Sequence, residues 1–350
     1  MPLRRALALE NSADPRSVRA PTEVCITIDT EFSIGGAFAD PERYRPLSAE
    51  LVECAIDGRA EGLGFILDTL REHGVSATFF VEALQCFYFG DRPMGRIAQR
   101  IVEAGHDVQL HLHPGWYGFR RRDWRTRPPE SDQCTARSLD ELQEMIGFGA
   151  AMFSRWGLPA PKALRTGSFY CNRTVHQAML RSGLTLGSNI CHAVYRSADP
   201  EFHVLSGTRV IDGVLEIPAL TYATPHPAGP RWRALAITAT SWAETQTLLL
   251  QARQADISPI AVLTHPFEFV KRADFRFREL RRNQVNRQRF EQLVEFLGRQ
   301  NGAFSPTTFT RSGDAWLAAG SRPGAALRVP THLAMARLGE NMLNTQLWQY

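Results

Sequence analysis

Lysine is almost missing from this chain. Lys162 and Lys271 are the only two, and arginine supplies the rest of the 40 basic residues. Against 36 acidic residues the net charge is only +4, and an arginine bias of this kind is what a GC-rich genome produces, so the charge does not point to nucleic acid as a partner. Long apolar runs are also missing: nothing approaches the roughly 20 residues of a membrane span. Paired cysteines are absent too. Cys25, Cys54, Cys86, Cys134, Cys171 and Cys191 contain no CxxC and fit free thiols better than a disulfide framework or a cysteine zinc cage. In the N-terminal extension, residues 1–21, Arg4 and Arg5 precede a short Ala-Leu-Ala-Leu stretch that Glu10 and Asp14 interrupt, unlike a secretory signal. These absences predict a cytoplasmic protein.

What is present suits a packed α/β protein. Hydrophobic residues make up 44% of the 350, enough for one large domain or two small ones. Apolar, β-branched runs at 24–29, 76–81, 107–112, 162–165, 214–218 and 259–264 alternate with amphipathic segments near 60–73, 94–104, 138–156, 173–182, 241–255 and 285–300. Leu63, Ile66, Leu67 and Leu70 have the spacing of one buried helix face. Gly74, Gly105, Gly157 and Gly183 follow four of the helices as stop signals. The alternation implies a parallel sheet, open or closed into a barrel. Long connections at about 32–58 and 114–137 follow the first and third strands, at the strand ends where such sheets place their sites. A C-terminal tail, 312–350, opens with small residues and resumes a helical pattern from Thr331 to Trp348.

Polar residues gather at the strand ends. Asp29 and Glu31 close the first run; His111 and His113 close the third. Residues two apart on a strand share a face, so each pair presents its side chains together. Two carboxylates and two imidazoles suit a divalent metal, zinc first. Arg165 ends the run from Lys162, and His265 ends the run from Pro259. His106 lies on the opposite strand face from His111 and reads as structural.

These residues resemble the motifs of the polysaccharide deacetylase family, the NodB-homology domain of carbohydrate esterase family 4. Thr27-Ile28-Asp29-Thr30-Glu31 stands where the family has Thr-Phe-Asp-Asp, and Ala77-Thr78-Phe79-Phe80-Val81 matches its Ala-Thr-Phe-Phe-Val strand. Gly105-His106-Asp107-Val108 resembles the approach to the metal histidines, Arg165-Thr166-Gly167-Ser168 its arginine motif, and Leu263-Thr264-His265-Pro266 its last histidine motif. The resemblance spans about 22–300. The family's two histidines are usually four residues apart, whereas the fourth position after His111 is Gly115 and His113 is the substitute. His-Leu-His-Pro-Gly-Trp is similar to a divergent branch linked with lipopolysaccharide biosynthesis. No segment is assigned to the family's Asp-Trp motif; Trp232 and Trp242 are candidates for substrate stacking, with core packing the favoured reading.

The resemblance implies a distorted (β/α) barrel of about seven parallel strands over residues 22–311, with long loops at the C-terminal strand ends. It implies a metal held by Glu31, His111 and His113, Asp29 as base, Arg165 as its partner and His265 as acid; geometry alone would permit Asp29 and Glu31 to exchange roles. Trp116, Tyr170 and Glu268 are expected to touch the substrate or to support the residues that do, and the arginines Arg120, Arg121 and Arg122 are expected substrate contacts. The expected activity is deacetylation of an N-acetylated sugar, nucleotide- or lipid-linked, in polysaccharide or lipopolysaccharide biosynthesis. The alternatives are an amidohydrolase for a formamido sugar or cyclic imide, and a non-catalytic sugar-binding homologue. No nucleic-acid partner and no transmembrane segment are expected, and the terminal helix is expected to dock on its own barrel or on a second copy.

Overall fold

The computed structural model describes residues 19–127, 130–299 and 302–346. Seven strands lie side by side and parallel: β1 (Thr22–Thr30), β2 (Thr78–Glu82), β3 (Asp107–Leu112), β4 (Ala163–Thr166), β5 (Leu186–Gly187), β6 (Val214–Glu216) and β7 (Ile260–Thr264), in the spatial order β7-β1-β2-β3-β4-β5-β6. Only β5 has no counterpart among the apolar runs, because two residues are too few to show a period. The circle closes loosely. Past β6, Ala219 bridges Ala261 of β7, and Leu263 pairs with Leu235 and Ile237 instead of with a continuous strand. Outside β6, the antiparallel strand Gly207–Ile211 extends the sheet. The result is the expected distorted barrel.

Strand periodicity divides the barrel into two faces. Val24, Ile26, Ile28, Phe79, Val81, Val108, Leu110 and Leu164 point outward into the main core shared with the surrounding helices. Cys25, Phe80, Ala163, Leu186, Leu215, Ile217 and Ala261 point inward and form a separate cluster with Phe309 and Trp316. A register slip of one residue would exchange these sets, so burial on both faces fixes the pairing. The helices fall where the sequence placed them, at Leu63–Glu72, Arg92–Glu103, Leu139–Arg155, Arg173–Arg181, Trp242–Gln254 and Gln284–Gly298. Two of them start in capping boxes, Ser138 with Glu141 and Ser241 with Glu244; each serine cap stabilises its helix by about 1 kcal/mol.

The lower, N-terminal mouth of the barrel is plugged. Helix Phe309–Ala319 inserts Phe309 and Trp316 beneath the inward cluster, and Trp316 Nε1 donates to Glu23 Oε2 at 2.6 Å. Gly313 permits the close approach, since a Cβ there would lie 2.6 Å from Leu186 Cδ1. Ser312, read from the sequence as the start of the tail, lies inside this helix and bonds Glu23. Emptying the Phe309 position would cost about 3–5 kcal/mol.

The last described helix, Thr331–Gln346, lies against the barrel's own helix Trp242–Gln254. Charge rather than an apolar stripe holds it there: Arg337 Nε donates to Glu244 at 3.0 Å with both groups buried, and Arg289 reaches Glu340 at 2.8 Å. Ala334 is buried while Leu338 and Met342 are exposed, and Trp348 lies outside the described residues. Among the described residues no helix is long and apolar enough to cross a membrane.

Candidate metal centre and active site

The upper mouth is where the inward residues become polar. On β1 the inward series runs Cys25, Thr27, Asp29, and Glu31 follows; on β3 it runs Gln109, His111, then His113. Side-by-side parallel strands bring these ends together with Arg165 of β4 and with His265 just past β7. The sequence-predicted groups therefore meet on one rim.

Arg165 is buried, and every arm of its guanidinium is used. It donates to Asp29 Oδ1 at 2.6 Å and Thr27 Oγ1 at 3.0 Å, and to the Ser188 carbonyl and hydroxyl at 3.2 and 2.7 Å, with Phe80 stacked 4.1 Å away. A fork tied at four points fixes the Asp29 carboxylate. Removing one member of such a buried pair costs about 3–5 kcal/mol, because the other is left without its counter-charge. The second Asp29 oxygen, Oδ2, is 4.0 Å from His111 Nε2 and 3.8 Å from His265 Nε2. It looks toward both proposed functional groups while Oδ1 is held by arginine.

Glu31 Oε2 lies 3.1 Å from His111 Nε2 and 2.7 Å from His113 Nε2. The far nitrogens are already engaged: His111 Nδ1 donates to the Arg165 carbonyl at 2.9 Å, and His113 Nδ1 meets Asp132 Oδ2 at 2.7 Å. With each Nδ1 carrying its hydrogen toward an acceptor, a neutral ring turns the lone pair of Nε2 toward Glu31. One carboxylate oxygen and two such nitrogens, all within 4.8 Å of one another, form a convergent donor set that a divalent cation fits. Without a cation, protons take its place. Burial would lower the His113 pKa, but Glu31 and Asp132 outweigh it and raise it well above the ordinary value. Burial would likewise raise Glu31, but the two histidines hold it well below the usual carboxylate range. An entering metal must displace a proton here, so its affinity rises with pH.

His265 has its own acidic partner. Its Nδ1 is 2.9 Å from Glu268 Oε1, and Glu268 Oε2 accepts from Thr264 Oγ1 at 2.7 Å. Burial would lower the imidazole, yet Glu268, followed by Asp29 and Glu31, pushes it up to about 9. It is therefore cationic at neutral pH, with Nε2 facing Asp29. Glu268 thus supports His265, one of the two roles expected of it from the sequence.

A cavity of about 340 Å³ opens beside these groups, lined by Glu31, Ile34, Trp116, Asp132, Phe267 and Arg272 among others. Trp116 lines this cavity. Tyr170 packs on Tyr195, ring centroids 4.7 Å apart, and is not on the cavity wall. Nor are Arg120, Arg121 and Arg122: Arg120 stacks on Tyr117 at 3.7 Å and sits 3.6 Å from Glu144, and Arg121 is 3.8 Å from Glu130. Asp132 and Ser188 were not singled out by the sequence, since neither stands in a periodic segment. His106 is buried against Phe79 with both ring nitrogens unpartnered, and burial pushes it down to about 4.

No family model and no curated protein matches the sequence. Solved structures do. A Mycobacterium smegmatis protein provisionally assigned as a polysaccharide deacetylase superposes with a TM-score of 0.54 at 15% identity, over 91% of this chain and 97% of that one. A family 4 carbohydrate esterase from Streptomyces lividans, in complex with acetate, gives a TM-score of 0.41 at 12% identity, over 88% of this chain and 100% of the other. A peptidoglycan deacetylase of Bacillus subtilis gives 0.37 at 12% identity, over 95% and 99%. The first of these likenesses is one of overall architecture across nearly the whole chain. This chain has the polysaccharide-deacetylase fold.

Proposed function

We propose that the protein is a metal-dependent amide hydrolase that removes an acetyl group from an N-acetylated sugar during polysaccharide or lipopolysaccharide biosynthesis. The observation that carries this reading is the placement of Asp29 Oδ2 between two devices, 4.0 Å from the ligand histidine His111 and 3.8 Å from the cationic His265, beside an open cavity. A base standing between a ligand set and an acid, with Glu31 and His113 of the ligand set lining the cavity, is an arrangement suited to hydrolysis of an unactivated amide.

A divalent ion held by Glu31, His111 and His113, zinc being well suited to these donors, would polarise the acyl oxygen and acidify water. The residues do the rest. Asp29, clamped by Arg165, receives the proton of the attacking water through Oδ2. His265, kept cationic by Glu268, delivers a proton to the departing nitrogen, without which an amine is a poor leaving group. Trp116 and Phe267 supply apolar walls for the sugar, and Arg272, which stacks on Phe277 at 4.9 Å, supplies the cavity's positive charge. Its guanidinium favours an acidic sugar derivative, such as a phosphate- or nucleotide-linked one. The six free, buried cysteines support a reducing, cytoplasmic setting.

The test is an amine-release assay over N-acetylated and N-formylated sugars, each neutral and phosphorylated, run with metal analysis of the purified protein. Release from an acetylated, phosphorylated sugar, dependent on bound metal, is expected. Preference for the formylated series would move the protein to the amidohydrolase alternative. Sugar binding without turnover by the metal-loaded protein would reject the enzymatic reading.

A further inference from the structure

The histidine pair of this chain is two residues apart, and the structure contains the parts that make such a pair usable. The residue four after His111 is Gly115, whose backbone N–H donates to Asp132 Oδ1 at 2.8 Å. The other oxygen of the same carboxylate holds His113 Nδ1 at 2.7 Å. A Cβ on Gly115 would stand 2.8 Å from Asp132 Oδ1 and 2.9 Å from Ile34 Cδ1, so any larger residue would push the carboxylate aside. On its other side the His113 ring lies against Gly167, where a Cβ would fall 2.3–2.6 Å from the ring atoms Cε1, Nδ1 and Nε2. Two glycines thus make the slot, and one carboxylate fixes the ring within it.

The geometry points to Asp132 as the positioning residue of the metal centre: it bridges the Gly115 N–H and His113 Nδ1, and so aims His113 Nε2 at the ion. This inference rests on the metal-site reading above and extends it to a residue 19 positions downstream, in the long loop after β3. The reason is directional. A strand positions a side chain at its end only by the backbone, and His113 is one residue past β3, in the turn that begins with Pro114. His111, inside the strand, takes its orientation from the Arg165 carbonyl, a backbone group fixed by the sheet. His113 has no such neighbour, and Asp132 fills the role. A carboxylate behind a ligand histidine also raises the basicity of the nitrogen that faces the metal.

The experiment is titration of Zn2+ into the full chain stripped of metal with a chelator, following affinity and the ¹⁵N signals of the histidine rings. Asp132→Ala should weaken Zn2+ by about 10- to 100-fold and remove the Nδ1–H signature of His113, while Asp132→Asn, which retains an acceptor oxygen, should lose less. Gly115→Ala retains the Asp132 carboxylate but pushes it out of position, and should weaken Zn2+ in the same direction; it decides the matter if Asp132→Ala does not fold. Wild-type affinity and an unchanged His113 signature in both Asp132→Ala and Gly115→Ala would overturn the inference, leaving the metal site itself intact. Failure of the unsubstituted protein to bind Zn2+ would overturn the metal-site reading and this inference with it.

Discussion

Two clusters of ligand-type side chains occur in the described molecule, and they have opposite characters. Glu31, His111 and His113 gather at the upper mouth of the barrel; Cys171, His176 and Glu216 gather in its wall. In each, potential donor atoms lie within 4.8 Å of one another. In the wall, the protein itself uses up the valences. His176 meets the Ile211 carbonyl at 3.1 Å and Glu216 at 2.9 Å, and the Glu216 carboxylate also accepts from the Asn189 backbone and side chain at 2.8 and 2.7 Å. Both His176 and Glu216 are fully buried. At the mouth, the two Nε2 atoms converge on one oxygen beside an open cavity. Proximity of donors alone does not make a metal site; the proposed one also has Glu31 and His113 lining an open cavity, which the wall cluster does not have. The wall cluster is better understood as scaffolding, because Asn189 Oδ1 accepts from the Thr166 backbone next to Arg165.

Substitutions can break this contrast. The largest effect is expected at Asp29. Asp29→Asn should keep the metal and lose about 100- to 10,000-fold in kcat, the usual share of a general base; loss of metal in this variant would show that Asp29 and Glu31 exchange or share their roles. Next comes His176→Ala, which leaves the buried Glu216 one hydrogen bond short and should cost about 1–3 kcal/mol in denaturant unfolding. Its metal content at low temperature should match that of the parent, and a drop in stoichiometry would make the wall cluster a second site.

A smaller change is expected at Glu268. Glu268 holds the proton on His265, so activity should fall as alkaline pH removes it. Glu268→Gln removes the main opposite charge holding the proton, so the alkaline limb should move to lower pH while metal content stays constant. An unmoved limb would assign it to another group. Cys171→Ser should do least, with unchanged metal content and a stability change of roughly 1 kcal/mol.

The residues of the mouth were legible because strands write their sidedness into the sequence. Asp29, Glu31 and His111, His113 alternate with Thr30 and Leu112, and an apolar run that ends in such a pair announces both a strand and the face it presents. Arg165 and His265 were legible as polar ends of apolar runs. Asp132 was not, since a loop has no period and its partner is 19 residues away. Helix Phe309–Ala319 was hidden for another reason: Thr310, Ser312 and Gly313 look like tail composition, but small residues are what lets Phe309 and Trp316 seat in the barrel mouth. Arg120 to Arg122 show the converse. They follow the histidine pair in sequence, yet Tyr117, Glu144 and Glu130 draw Arg120 and Arg121 away from the cavity, which receives Arg272 from the short strand Val270–Arg272.

The most direct measurement of the central claim is metal stoichiometry by elemental analysis of the parent chain, His113→Ala and Cys171→Ser, each equilibrated with Zn2+ and freed of excess. The account predicts one ion per chain in the parent and in Cys171→Ser, and strongly reduced occupancy in His113→Ala. Full occupancy in His113→Ala, or loss of an ion in Cys171→Ser, would contradict it.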